Sequence, residues 1–139
     1  MAIKGLSLVE DEAFYSSFDD APEDQKTKWI VGAIDLMVRS YIQDNTISWV
    51  QQAEGGMQMI NRTASRDFEV CRFGLKGFEN FKDDKGGDIK YNTVDRALFN
   101  KVYKVVDDAV LNKVPGPVIA ELAAHIIEIN TATDELRKK

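Results

Sequence analysis

The chain has 139 residues, 44% of them hydrophobic and 29% charged, with a formal net charge of −5. That length suits one domain with a core large enough to need neither disulfides nor metals. No apolar run approaches the roughly 20 residues that cross a bilayer, and the acidity argues against a phosphate-backbone binder, which needs a basic stripe.

Cys71 is the single cysteine, so no internal disulfide can form and a reducing compartment is expected. The opening MAIKGLSLVEDE has one lysine followed by acids, unlike a signal or transit peptide, which points to cytosolic synthesis. Residues 1–24 carry seven acids and one base, a charge of −6, which leaves the remainder near +1. One reading is a solvated, partly disordered acidic arm. The other is an arm that docks onto a neighbouring subunit through Leu6, Leu8, Phe14, Tyr15 and Phe18, apolar groups that a solubilising tail does not need. The expected organisation is an acidic arm over 1–24 and a single domain over 25–139.

Pro22 breaks the chain, and Thr27–Ala33 reads as a short strand or an extended entry. Asp35 is placed to N-cap a helix running to about Gln43, with Ile34, Met37 or Val38, Tyr41 and Ile42 on its inner face. Thr46–Gln52 and Met57–Ile60 flank Gly55-Gly56, a predicted hairpin in which Ile47 and Trp49 alternate with polar residues. From Thr63 or Ser65 the period becomes helical, with Phe68, Cys71 and Leu75 as the stripe and Gly74 and Gly77 as the stop.

The segment Arg72–Tyr91, RFGLKGFENFKDDKGGDIKY, sets Phe73, Phe78 and Phe81 among glycines before the acidic turn Asp83–Asp88. It predicts a compact β-hairpin or tight loop pinned by aromatic anchors. Val94–Val114 reads as two helical pieces with Leu98, Val102, Val105 or Val106, Ala109 and Val110 inside. Pro115-Gly116-Pro117 then stops one helix and starts the next, since proline suits a first turn and not an interior. The last helix is expected over about Val118–Asn130, burying Val118, Ile119, Leu122, Ile126 and Ile129. The fold class is α+β, a single compact domain with short hairpins and helices concentrated in the C-terminal half.

Catalytic chemistry is thin. His125 is the only histidine, beside Leu122 and Ile126, and reads as a core-edge residue satisfied by a neighbour more than as a general base. Cys71 sits on an apolar stripe and reads as a small buried hydrophobe. Asp83, Asp84 and Asp88 lack the alternating spacing and closing glutamate of a calcium loop and read as a solvated turn. Asp107-Asp108 reads as a solvated helix face, and Gly74–Gly77, superficially a nucleic-acid-clamping GxxG, lacks basic surroundings. No catalytic residue, metal ligand or cofactor is expected. Aromatic and thioether groups near turns (Trp29, Trp49, Met57, Met59, Phe73, Phe78, Phe81) divide between core packing and an interface centre.

Three pieces carry a family resemblance: TKWIVGAIDLMVRSYIQD, EVCRFGLKGFENFKDDKGGDIKY and VIAELAAHIIEINTATDELRKK. Together, over roughly 27–139, they resemble small proteins of the virion-morphogenesis gene clusters of tailed bacteriophages. The middle piece is the most specific, through Arg72, Gly74, Leu75, Lys76, Gly77, Phe78, Asn80, Phe81, Asp83 and Gly86. The resemblance implies a non-catalytic head or tail role: an adaptor, a tail component or a tail-assembly chaperone. The expected partners are other phage structural proteins, in a homo-oligomer or hetero-complex, with no direct nucleic-acid or membrane contact. The expected location is the host cytoplasm during assembly, with the virion as a second location for a connector or tail component but not for a chaperone. Expected interaction residues are Phe73, Lys76, Phe78, Asn80 and Phe81 in Arg72–Tyr91, with Phe14, Tyr15 and Phe18 of the arm. The alternative is a small acidic phage protein that binds and modulates a host protein, its clustered carboxylates imitating phosphates.

Overall fold

Strand β2 (Lys28–Val31) has the alternation of a half-covered strand, with Trp29 and Val31 buried and Lys28 and Ile30 half-buried. In the computed structural model it lies at the centre of a three-stranded antiparallel sheet, between β1 (Glu12–Phe14) and β5 (Leu75–Glu79). The backbone is described for residues 3, 5, 7–51, 55–61 and 63–138, and side chains for the same residues except 47–51, 58–61 and 132–138. Leu6 lies outside the described residues, as do the side chains of Trp49, Val50 and Met59. The register sets Phe14 opposite Trp29 and Trp29 opposite Phe78, so three aromatics cross one face in a row. Between Ile30 and Val31 the pairing partner jumps from Gly77 to Leu75, which leaves Lys76 as the extra residue of a bulge.

Over Glu12–Phe14 the arm is therefore an edge strand of the same sheet, paired with β2, and not a free extension. Charge alone could not reveal this, because three residues of backbone pairing carry no compositional mark.

Helix α1 (Leu36–Asn45) is capped as expected: the Val38 amide donates to Asp35 Oδ1 at 2.8 Å. Val38 and Ile42 are its buried residues and Met37 is exposed, which settles the inner face. The predicted hairpin follows as β3 (Ile47–Gln51) and β4 (Met57–Asn61).

Helix α2 (Thr63–Gly74) buries Asp67, Val70, Cys71, Phe73 and Gly74. Phe68 is exposed, contrary to the stripe expected for it. The line 67, 70, 71, 74 faces the core, and Phe68 stands about 100° away from Asp67 around the helix. Gly74 ends the helix, but Gly77 lies inside β5.

Arg72–Tyr91 is not a hairpin closed on itself. Its first residues finish α2, and β5 pairs with β2, far back in sequence. Only the second half folds locally: Lys82 bridges Asp88, and the Ile89 amide donates to the Phe81 carbonyl at 2.9 Å. Strand patterning identifies an extended segment without naming the strand it pairs with.

The largest departure lies at 93–106, read as helical and found as a hairpin of β6 (Thr93–Leu98) and β7 (Lys101–Val106). Apolar positions 98, 102, 105 and 109 satisfy a helical period, yet Thr93, Val94, Val102, Tyr103, Val105 and Val106 are strand-favouring types. The turn residues Phe99 and Asn100 have φ of 54° and 61°, and no glycine marks the spot. Val102, expected inside, is exposed, as is Ala109, whereas Val105, Val106 and Val110 are buried. Only α3 (Asp108–Leu111) is helical here. Asp107 is its cap, accepting from the Ala109 amide at 3.1 Å, and Asp108 is exposed in its first turn. The acidic pair faces solvent as expected but starts a helix instead of lying within one.

Helix α4 (Gly116–Lys138) begins with Pro117 in its first turn and runs past the expected end. Val118, Ile119, Leu122, Ala123 and Ile126 are buried, and Ile129 packs half-buried against the core. A Cβ placed on Gly74 would lie 2.6 Å from Ile126 Cγ2, so glycine is what lets α2 and α4 approach this closely. The result is an α+β fold with small antiparallel sheets and helices concentrated in the C-terminal half.

Candidate interaction surface

Four rings, Trp29, Phe78, Phe81 and Tyr91, close over one face of the sheet. Trp29 and Phe81 lie 4.9 Å apart between centroids, Phe78 and Phe81 5.1 Å, and Phe78 and Tyr91 5.5 Å, the last two edge to face. The Tyr91 hydroxyl donates to the Leu75 carbonyl at 2.7 Å, which ties the far end of the acidic loop back to β5. Burial, with the nearby Asp11 charge, pushes that hydroxyl up to about 12.

The expected interaction residues are thus divided. Phe81 is buried in this cluster and Phe78 is half-buried beside it. Phe73 is buried elsewhere, edge-on to Tyr103 at 5.8 Å, with the Arg96 guanidinium 5.5 Å from its ring centre. Phe73 and Phe81 serve the core, because their surfaces are already covered by their own chain. Lys76, the bulge residue, is half-buried and donates to the Phe73 carbonyl at 2.8 Å. Burial lowers its pKa, against the opposing pull of Asp11 and Asp35. Asn80 is exposed at φ 60°, and its carbonyl accepts from Thr27 Oγ1 at 2.8 Å, which fits a residue placed to turn the chain.

The arm lies along α4. The Phe14 ring centre is 4.6 Å from that of His125, and His125 Nε2 lies 2.6 Å from Glu12 Oε1. The Ser17 amide donates to both Glu121 carboxylate oxygens, at 3.1 and 3.2 Å, and the Ser17 hydroxyl also bonds Glu121. Burial pulls the Glu121 carboxyl up, but the hydrogen bonds from Ser16 and Ser17 outweigh it and hold the pKa below its ordinary value. A carboxyl depressed on folding contributes stability above its unfolded pKa, about 4.5, and loses it as pH falls through the lower folded value. The Ser17 amide resonance is therefore expected to titrate with a midpoint below about 4.5. A midpoint at or above it would show that the contact does not form. Beyond this clasp Tyr15 and Phe18 are exposed, Phe18 at 63%.

A second apolar surface had no clear signal in the sequence. Leu36, Met37 and Tyr41 of α1 and Phe99 at the β6–β7 turn line a cleft of about 360 Å³ with Ser40 and Asp44. Leu36 and Met37 are exposed, and the Tyr41 and Phe99 rings meet edge to face at 6.3 Å. Phe99 is 49% exposed and holds a left-handed φ of 54°, a conformation that bulky side chains avoid. Its wall is rigid: Arg96 donates to the Tyr41 hydroxyl at 2.6 Å and to Glu69 at 3.1 Å. Arg72 joins Glu69 to Asp108, so α1, α2, α3 and β6 are braced together. The helical phase at Met37 or Val38 was open in the sequence, and the turn lacked glycine, so neither half of this cleft could be read.

The remaining reactive groups are engaged in structure. Burial, with Asp67 adding, pushes the Cys71 thiol up to about 12, and its Sγ faces the Ile119 carbonyl at 3.5 Å. Asp83 accepts from the Lys85 and Gly87 amides, and Asp88 pairs with Lys82. Among the described residues, no group of three or more His, Cys, Asp or Glu is arranged to hold a metal ion. No helix among the described residues is long and apolar enough to cross a membrane. No family model, curated protein or solved structure matches this chain. The surface itself must then support the functional reading.

Proposed function

We propose that this chain is a non-catalytic structural or assembly protein of a tailed-phage virion, acting through protein–protein contacts. The observation that carries this reading is the cleft of Leu36, Met37, Tyr41 and Phe99. Aromatic and methionine side chains are enriched at interface centres, and a phenylalanine kept at positive φ costs stability that its own fold does not require. The likeness of RFGLKGFENFKDDKGG to small virion-morphogenesis proteins supplies the biological setting. Glu12 and Asp19 bind within their own chain, which weakens the reading of the arm as a phosphate mimic for a host protein.

Two measurements test the proposal. Mass spectrometry of purified virions and of infected-cell complexes should find the chain associated with other virion proteins. Absence of any such association removes the reading. Phe99→Asn should leave thermal stability unchanged or raised, because asparagine tolerates the left-handed turn, while weakening that association about tenfold or more. Undiminished association would show that the cleft is not the contact.

A further inference from the structure

Between α1, α2 and α4 lies a cavity of about 320 Å³ whose floor is Ile34, Ile42, Val70 and Ile126, with Arg39 and Arg66 also lining it. Its two buried polar side chains, Thr46 and Asn130, are already satisfied: the Thr46 hydroxyl donates to the Ile42 carbonyl at 2.8 Å. Asn130 Oδ1 accepts from the Ile34 amide at 3.1 Å, and its Nδ2 donates to the Ile126 carbonyl at 2.8 Å. An apolar floor beside the half-exposed Arg66, whose Nη2 lies 3.4 Å from Asp67 Oδ1, suits an extended segment that presents aliphatic side chains next to a second carboxylate.

The chain carries such a segment. Residues 3–10 read IKGLSLVE, aliphatic at 3, 6, 8 and 9 and ending in an acid. Ile3 is 99% exposed and Leu8 66% exposed, so neither fills the cavity of its own chain. Glu10 is exposed and has no ion-pair partner among the described residues. The segment enters β1, which Glu12 fastens to His125 of α4, the helix that also supplies Ile126 to the cavity. Eight extended residues reach about 26 Å, enough to cross from one molecule to another.

We infer that the cavity receives residues 3–10 of a second copy of this chain, with Leu8 on the apolar floor and Glu10 against Arg66. This goes beyond the assembly proposal and needs no virion protein to be true, so the two fail separately.

Sedimentation velocity on the full-length chain tests it. The wild type should show a concentration-dependent dimer. Leu8→Glu should abolish the dimer, and Glu10→Arg and Arg66→Glu should each weaken it at least about tenfold. Both charge-reversed positions are exposed in the monomer, but Arg66 also pairs with the buried Asp67. Circular dichroism and the thermal midpoint must therefore first show that Arg66→Glu is folded. Arg66→Gln, which removes the charge without reversing it, should weaken the dimer in the same direction. Mixing the Glu10→Arg and Arg66→Glu proteins should restore association, since each groove then meets an arm of opposite sign. A wild type that stays monomeric overturns the inference, as do charge-reversed proteins that dimerise normally or fail to recover on mixing. Recovery of the thermal midpoint within a monomeric Glu10→Arg/Arg66→Glu double variant would place the segment in its own chain's cavity, and would equally overturn the second-copy assignment.

Discussion

Replacing Phe81 with alanine is expected to lower folding stability by about 3–5 kcal/mol, and the thermal midpoint by more than about 10 °C. The ring is 9% exposed and packs against both Trp29 and Phe78. Its removal leaves a cavity that strands held in register cannot collapse to fill. Phe78→Ala should cost less, about 1–2 kcal/mol, because half-burial leaves less apolar area to lose. Chemical denaturation of the two variants separates the roles. A Phe81 variant that melts within about 1 kcal/mol of wild type but associates poorly would return this residue to the surface.

Gly74→Ala should destabilise the chain by about 1–3 kcal/mol despite raising helix propensity. The new methyl would meet Ile126 Cγ2 at 2.6 Å and Cδ1 at 3.0 Å, and Ile126 is fully buried, so relief requires a rotamer change there or a shift of α4. A cycle gives the sign. Ile126→Ala alone should cost about 2–5 kcal/mol, yet in that background Gly74→Ala should be neutral or stabilising, since the methyl then fills space. Equal costs in both backgrounds would mean that α2 and α4 do not meet at these two residues. This single contact matters beyond its own energy. It sets how closely α2 approaches α4, and so the walls of the cavity assigned to the second copy's arm.

Parts of this fold were legible because the signal was local. Asp35 is followed by a helical run, and one side-chain oxygen three residues ahead of Val38 is enough to start it. Pro115 and Pro117 punctuate because a ring without an amide proton acts where it stands. The hairpin at 47–61 announced itself through Gly55-Gly56, and Gly55 does take φ 91°. The helical reading of 94–106 failed for the complementary reason. Its apolar spacing fits both periods, and the deciding feature was a turn in which Phe99 and Asn100 adopt the conformation usually left to glycine.

The candidate surface divides along the same line. That Arg72–Tyr91 holds aromatic anchors was plain in its residues, but their direction was not. Phe73 and Phe81 turn inward because β5 pairs with β2, a contact between segments more than forty residues apart. Leu36, Met37 and Phe99 become one surface only when the β6–β7 turn is laid beside α1. Acid-rich composition likewise suggested a free arm, whereas Glu12 and Ser17 find partners more than one hundred residues away.

Composition, capping and proline placement were sufficient for the α+β class and for the starts of α1, α2 and α4. Strand partners, the division of aromatics between core and surface, and both clefts were decided by the tertiary structure. The physical reason is range. Backbone dihedral preferences and caps act within about one helical turn, whereas pairing and burial depend on which distant segment arrives to exclude water.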